Sequence, residues 1–350
     1  MLAPSGLGRS AWREAATVTS PILQAEGVHV RFPTPGGRVA RAVDGVDVDL
    51  GTGEILAIAG ESGCGKTTLA RTLLGLERPS AGVVRFRGEA LGYSTRALKA
   101  HRRAVQLVLQ DPSGALNPRH TVYDAVAEGL RIHGIHGGSG GDERQRVATA
   151  LARAGLRPPE RFFLTYPHEL SGGQRQRVVI AGALVLEPQV IVADEPVASL
   201  DASVRGEILA LLLQLRDELG LAAIVVTHDL GLAWNIADRI AVMYLGRVVE
   251  DGPVDNVLVA PHHPYTQALV SVLPSSPGAP IVLSGEPPDA TQIPDGCRFH
   301  PRCHVLAGGG ADAVGLAQRC RHDDLLIVRH AGGGSHEVAC HVANAVTAER

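Results

Sequence analysis

The chain has 350 residues, 45% of them hydrophobic and 20% charged, which is enough to form a full core and more than one domain. Its formal net charge of −3 excludes the basic surface of a typical nucleic-acid-binding protein, so we expect no nucleic-acid partner. Charges and prolines interrupt every apolar stretch before the roughly 20 residues that a membrane span needs.

Strands and helices alternate along the chain after a short opening segment. Residues 1–20 lack the apolar core of a secretory signal, so we expect a disordered leader and a cytosolic protein, or one that reaches a membrane only through a partner. The pattern then predicts buried strands at 54–60, 103–112, 189–196 and 222–229, and helices at 121–133, 143–154 and 203–219. This alternation indicates an α/β sheet with functional residues at the carboxyl ends of its strands.

The first of these strands runs into the Gly-rich stretch "GESGCGKTT", which matches the P-loop pattern G-x-x-x-x-G-K-[ST] between a strand and a helix. Backbone N–H groups of such a loop wrap around phosphates, and the following helix adds the positive end of its dipole. Lys66, one of only two lysines in an arginine-rich chain, is predicted to reach the β- and γ-phosphates. The predicted nucleotide-binding residues of the loop are Gly60, Glu61, Ser62, Gly63, Cys64, Gly65, Lys66, Thr67 and Thr68.

Four further polar groups follow apolar strands and are predicted to meet at one sheet edge. Asp194 at the end of "VIVAD" suits the Mg²⁺ shell together with Thr67, and Glu195 suits the base that polarises an attacking water. Gln110 is predicted to orient that water or to touch Mg²⁺, and His228 to contact the γ-phosphate. The alternatives are two solvated carboxylates that cap a turn and a structural histidine. Together the groups predict phosphoryl transfer to water.

A second stretch typical of a phosphate-binding helix start lies about a hundred residues downstream. It reads "LSGGQ" at residues 170–174 and leads into an apolar helix. The alternative interpretation is an ordinary helix capped by Ser171, and Ser171 could serve both purposes.

In this order and spacing, the P-loop, Gln110, "LSGGQ", "ADEP", "SLD" and the strand-end His228 resemble the ATP-binding-cassette (ABC) ATPases over about residues 22–274. The resemblance implies an α/β P-loop NTPase fold with a RecA-like core, an antiparallel β subdomain and a helical signature subdomain. It also implies that the signature loop faces the γ-phosphate held by the other cassette of a head-to-tail dimer, with Asp201 at the dimer interface. The residues that would act in this way are Ser171, Gly172, Gly173 and Gln174.

Longer strings, among them "QDPSGALNPRHTV", "YPHELSGGQRQRVVIAGAL" and "HHPYTQALVSVLP", resemble the ATPase subunits of bacterial oligopeptide/dipeptide permeases. The resemblance implies a transport ATPase on the cytoplasmic face of the inner membrane, with a second ATPase subunit, two permease subunits and an extracellular solute-binding protein as partners. A heterodimer is expected, and a homodimer stays open. A related importer of nickel or another small solute is the alternative function.

The sequence departs from the family pattern at two places. The stretch "PGGRVARAV" carries no aromatic residue to stack on adenine; Phe32 is the nearest candidate, and a core strand position is its alternative. Gly182 stands where the family usually has Arg, which we expect to alter local packing and not the chemistry. Every position with a predicted catalytic role is intact, so hydrolysis of ATP is expected.

Composition changes near residue 274, and we predict a cassette at 21–260, a connecting helix and linker at 261–284, and a small Cys-rich module at 285–350. Four of the five cysteines lie in this module, and clustered cysteines in a cytosolic chain indicate a metal centre. "GCRFHPRC" and "VACH" resemble a C-terminal extension that in some family members holds a 4Fe–4S cluster. Zinc, with help from His300, His304 or His341, is the rival, and four free thiols are the third possibility. The ligands would be Cys297, Cys303, Cys320 and Cys340, in a centre expected to lie outside the ATP site with a structural or regulatory role.

Overall fold

The computed structural model describes residues 20–135, 143–198, 200–274, 276, 278–325 and 336–348. The predicted leader lies outside the described residues except for Ser20. The strands are β1 (Leu23–Pro33), β2 (Val39–Leu50), β3 (Ile55–Ala59), β4 (Ala81–Phe86), β5 (Glu89–Ala90), β6 (Val105–Val108), β7 (Val190–Asp194), β8 (Ala222–Thr227), β9 (Arg239–Tyr244), β10 (Arg247–Pro253) and β11 (Glu337–Val338).

Helices of very different length lie between or after these strands, and the helices predicted at 121–133, 143–154 and 203–219 are all confirmed. The helices are α1 (Lys66–Leu73), α2 (Thr95–Ala104), α3 (Pro112–Ala115), α4 (Val122–His133), α5 (Glu143–Arg153), α6 (Gly172–Leu184), α7 (Ala202–Leu219), α8 (Leu230–Ile236), α9 (Val254–Val259), α10 (Pro264–Ser271), α11 (His304–Ala307), α12 (Gly310–Ala313), α13 (Ala317–His322) and α14 (His341–Ala348). Within the described ranges, no helix is both long and apolar enough to cross a membrane.

The main sheet has seven strands in the order β11-β10-β9-β3-β8-β7-β6. From β9 to β6 all neighbours run parallel, so the carboxyl ends of β3, β8, β7 and β6 lie along one edge. Every residue of β3 and β8 is buried, which explains why both read as continuous apolar runs in the sequence. The predicted α/β sheet is therefore confirmed, and its edge collects the predicted site residues.

The two faces of the main sheet bury two separate cores, because alternate residues of a strand point to opposite faces. On one face, Leu56 and Ile58 of β3 join Leu69 of α1 and the antiparallel sheet β2-β1-β4-β5 in one core. On the other face, Ala57 packs in a core that contains Val126 of α4 and the apolar side of α6. The result is a mixed α/β cassette with an antiparallel sheet on one side and helices α4–α6 on the other.

The described part of the chain after residue 285 is joined to the cassette by backbone pairing. Strand β11 pairs with the edge strand β10, with Glu250 opposite Val338 and Asp251 opposite Glu337. His336, just before β11, lies 2.6 Å through Nε2 from the Glu250 carboxylate, which is fully buried. No sequence pattern predicts this strand, because two residues are too few to show a period.

Candidate functional site

The loop between β3 and α1 needs glycine at both of its ends. A Cβ atom on Gly60 would lie 2.2 Å from the carbonyl oxygen of Met243, and one on Gly65 would lie 2.1 Å from that of Ala42. Both residues also have positive φ, 149° and 107°. Their neighbours Ser62 and Gly63 are exposed on the loop, and Thr68 lies in the first turn of α1. The backbone can therefore approach other groups closely, as a phosphate cradle requires.

Lys66 places a buried positive charge inside this loop. Its Nζ donates to the carbonyl oxygens of Gly60 at 2.7 Å and Glu61 at 2.8 Å. Helix α1 begins at Lys66 with Gly65 as its N-cap, so no side chain caps the helix. Its first turn also contains no acidic residue that would repel an anion. Backbone N–H groups, a helix dipole and an ammonium thus converge at one place, a combination that binds anions.

Thr67 and Asp194 connect α1 with the end of β7. The Thr67 hydroxyl lies 3.4 Å from Oδ1 of Asp194, to which it donates. Burial raises the pKa of Asp194 and the nearby charge of Glu195 adds to the rise, although the Thr67 hydrogen bond opposes it. A bound divalent cation would offset both effects. A hydroxyl and a carboxylate oxygen are ligands that Mg²⁺ accepts, so these residues fit the ion.

Glu195 brings together the other predicted catalytic residues. Its carboxylate accepts from Nε2 of Gln110 at 3.2 Å on one oxygen and lies 2.8 Å from Nδ1 of His228 on the other. Its φ of 46° is unusual for a non-glycine residue, and its N–H donates to the carbonyl oxygen of Val226 on β8. The side chain is thereby turned to the sheet edge, where three groups predicted from three strands meet.

The "LSGGQ" stretch forms a reciprocal cap at the start of α6. The Ser171 hydroxyl accepts from the N–H of Gln174 at 3.2 Å, and Oε1 of Gln174 accepts from the N–H of Ser171 at 2.9 Å. Gly173 allows α6 to approach α7, since a Cβ there would lie 2.6 Å from a methyl group of Val204. The capping alternative for Ser171 is thus confirmed, while a role toward a second nucleotide stays a prediction. Gly172 opens the same helix.

Asp201 is exposed at the N-cap position of α7, and its side chain makes no capping hydrogen bond. Ser199 of the same "ASLD" stretch lies outside the described residues.

Phe32 is 37% exposed on β1, so the core alternative for its side chain is wrong. Gly182 lies on α6 with open space near its Cα, and a Cβ there would meet only the carbonyl oxygen of Ala125, at 3.9 Å.

Sequence reasoning missed two residues that touch the P-loop. The Tyr265 hydroxyl accepts from the N–H of Glu61 at 2.8 Å, and the Arg302 guanidinium donates to both oxygens of the Glu61 carboxylate, at 2.9 and 3.2 Å. The chain around the cysteines therefore reaches the P-loop through Arg302, while the expected place of the metal centre, outside the ATP site, stays a prediction. A pattern of neighbouring residues cannot predict the contact between Arg302 and Glu61, which are 241 positions apart. For Tyr265, the only signal in the sequence was the family-like string "HHPYTQAL" that contains it.

The four C-terminal cysteines line one common cavity, together with Phe299, Leu306 and His341. Burial raises the pKa of Cys297 to about 12 and that of Cys340 to about 11, and the proximity of the other thiols adds to both shifts. Among the described residues, Glu250, His262 and His336 form the one group of potential metal ligands whose atoms all lie within 4.8 Å of one another, and it contains no cysteine. The cysteines therefore share a cavity, but no three of their sulfur atoms all lie within 4.8 Å of one another.

Comparison with known proteins gives two family matches. Residues 43–198 match the ABC transporter family, and residues 249–307 match the C-terminal region of oligopeptide/dipeptide transporters. The dipeptide transport ATP-binding protein DppF of Escherichia coli strain K12 is 42% identical over 305 residues, which cover 84% of this chain and 90% of DppF. The oligopeptide transport ATP-binding protein AppF of Bacillus subtilis strain 168 is 41% identical over 298 residues, with 81% and 89% covered.

A solved structure supports the same relationship. The ATP-binding cassette MJ0796, a dimer in a post-hydrolysis state bound to ADP and Pi, superposes with a TM-score of 0.59 and 31% identity. The match covers 66% of this chain and 98% of that one.

Proposed function

The chain belongs to the ATP-binding proteins of ABC transporters and is an ABC-type ATPase, and on this basis we propose that it powers a bacterial importer of dipeptides or oligopeptides. The observation that carries the enzymatic part is the meeting of Gln110 and His228 at the carboxylate of Glu195, beside a P-loop. The peptide specificity rests on the relatives, whose names state dipeptide and oligopeptide transport, and on the match over residues 249–307.

The proposed chemistry is transfer of the γ-phosphoryl group to water. Glu195 takes a proton from the attacking water. Gln110 and His228 fix the position of that water and the orientation of the Glu195 carboxylate. Lys66 offsets the negative charge of the β- and γ-phosphates. Thr67 and Asp194 would hold Mg²⁺, which supplies further charge neutralisation at the phosphate oxygens when it is bound.

The proposed working unit is a head-to-tail dimer, as the family implies. Ser171 is exposed at the start of α6, on the helical side of the cassette, and its hydroxyl and the N–H groups of Gly172 and Gly173 would face the nucleotide of the other subunit. Asp201, exposed and without a capping bond, would lie at the same interface. The partner is a second ATPase subunit of the same family, in a heterodimer; a homodimer is the alternative.

The proposed location is the cytoplasmic face of the inner membrane, on two permease subunits. The segment after Gln110, in which Asp111 caps the short helix α3, would form a groove together with helices α4–α6. This groove would receive a cytoplasmic helix of the permease. An extracellular solute-binding protein would deliver the peptide. ATPase activity of the assembled importer should rise with binding protein loaded with a dipeptide; a rise with Ni²⁺-loaded protein instead would favour the nickel alternative.

For the C-terminal cysteines we propose a 4Fe–4S cluster, with zinc as the rival. In a tetrahedral zinc site, sulfurs about 2.3 Å from the metal lie roughly 3.8 Å from one another. In a four-iron cluster each thiolate binds a different iron, so the sulfurs stand farther apart. A shared cavity in which no three cysteine sulfurs of the described chain gather within 4.8 Å fits the larger group better.

The cluster is tested on anaerobically purified protein. We expect brown protein with broad absorbance near about 400 nm and about four irons per chain. Cys320→Ser should remove both signals, while Cys64→Ser, at the fifth cysteine, should not affect them. Colourless protein with one zinc per chain and no iron would contradict the assignment.

A further inference from the structure

The segment from Cys297 to Cys303 touches the P-loop directly. Arg302, only 8% exposed, forms the two-pronged hydrogen bond to the carboxylate of Glu61 described above. A guanidinium fork on a carboxylate is both strong and directional, so this contact fixes the side chain of Glu61 in position and in orientation.

The backbone of Glu61 is held as well. Its N–H donates to the Tyr265 hydroxyl and its carbonyl oxygen accepts from Lys66, so each polar group of Glu61 has a partner. Two of these three partners, Tyr265 and Arg302, come from the chain beyond residue 260. Glu61 directly follows Gly60, so the C-terminal part of the chain fixes the entrance of the phosphate loop.

Residues 297–303 also stabilise the second half of the P-loop, near Cys64. Arg298 is 5% exposed and donates to the carbonyl oxygen of Leu245 and to the carboxylate of Asp44. The residue after Leu245, Gly246, donates its N–H to the carbonyl oxygen of Cys64 at 2.8 Å. Arg298 thus holds the turn against which the second half of the P-loop rests.

Aromatic packing makes this arrangement stiff. Phe299, 1% exposed, lies against Tyr244 of β9 and Tyr265 of α10, with ring centroids 5.2 and 5.4 Å away. The N–H of Arg302 donates to the carbonyl oxygen of Phe299 in a single 3-10 turn, so the buried ring and the guanidinium belong to the same short turn.

We propose that residues 297–303, which carry two of the four clustered cysteines, are a positioning element of the nucleotide site, with Arg302 and Arg298 as its positioning residues. The inference rests on the proposed function only in that this loop binds ATP. A loop held in its binding conformation loses less conformational entropy when the nucleotide arrives, so affinity rises. By thermodynamic reciprocity, nucleotide binding stabilises residues 297–303 in turn.

The test measures the affinity of the full-length protein for MgADP by titration calorimetry. Arg302→Ala should weaken binding roughly fivefold or more, the usual range for coupling between two sites. Arg319→Ala is the matched control: Arg319 also precedes a cysteine, but it is exposed and pairs with Asp323 of its own helix end. Its affinity should equal that of the wild type.

Two further measurements separate positioning from a general loss of stability. Glu61→Gln should weaken binding as well, and the double variant with Arg302→Ala should add little, because both remove the same contact. In the wild type, MgADP should slow amide exchange of residues 297–303, and in Arg302→Ala this protection should be lost. If Arg302→Ala does not fold, Arg302→Lys, which keeps the charge and loses the fork, should show the weaker affinity.

Wild-type affinity in a folded Arg302 variant would overturn the inference and leave the proposed function standing. A wild-type chain that does not bind MgADP would instead contradict the proposed function itself.

Discussion

Gly65 stands where α1 begins, and its conformation is open to glycine alone. A side chain at φ 107° is strained, and its Cβ would also collide with the backbone of Ala42, which cannot swing away. Gly63 has φ 78° but open space around it. Strain alone costs about 1–2 kcal/mol, so Gly63→Ala should be tolerated better than Gly65→Ala.

We predict that Gly65→Ala loses most of its affinity for MgATP, while Gly63→Ala keeps a measurable part of it. Equilibrium binding of a fluorescent ATP analogue to both variants checks this. Equal affinities would show that the close approach of Gly65 to Ala42 does not shape the loop.

At the scale of elements, helix α10 depends on a neutral histidine. His263 caps α10 by accepting from the N–H of Tyr265 through Nδ1, and its ring also bonds to the backbone of Ala339. Burial lowers its pKa from 6.5 to about 4. Above pH 6.5 the ring is neutral in both the folded and the unfolded chain. Below pH 6.5, His263 is protonated in the unfolded chain but stays neutral in the folded chain until the pH nears 4.

Stability should therefore fall as the pH drops from 6.5 towards 4, with up to about 3 kcal/mol attributable to this group. His263→Asn keeps a capping acceptor but does not titrate, so its free energy of unfolding should change less over this window. Urea unfolding at several pH values measures the difference. An identical pH dependence in both proteins would contradict a neutral His263.

The elements near the nucleotide were predictable from sequence because their causes are local. Continuous apolar runs identify the buried strands, and the P-loop pattern and the capping pattern at Ser171 depend on residues a few positions apart. The contacts of Arg302 and Tyr265 with Glu61 were not predictable, because they join distant parts of the chain. Strand β11 is too short for a period, and only packing shows that Phe32 is exposed.

At the scale of the whole molecule, the proposed head-to-tail dimer predicts that each nucleotide is shared between the P-loop of one subunit and the "LSGGQ" helix start of the other. Ser171→Arg should abolish hydrolysis while each chain still binds MgATP at its own P-loop. Ser94→Arg is the control, since Ser94 is also an exposed helix cap and its loss should have a similar effect on stability. Phosphate release and nucleotide binding are measured on both, and parallel loss of both properties in Ser171→Arg would indicate that the signature serves its own nucleotide.

The central claim, that this chain hydrolyses ATP with Glu195 as the base, is tested most directly by phosphate release from the Glu195→Gln variant. The amide keeps the hydrogen-bonding shape but cannot take the proton, so we predict turnover at least about 100-fold below the wild type, with MgATP binding intact. Glu218→Gln, an exposed acid on α7, should hydrolyse ATP normally. Near-normal turnover in Glu195→Gln would contradict the account.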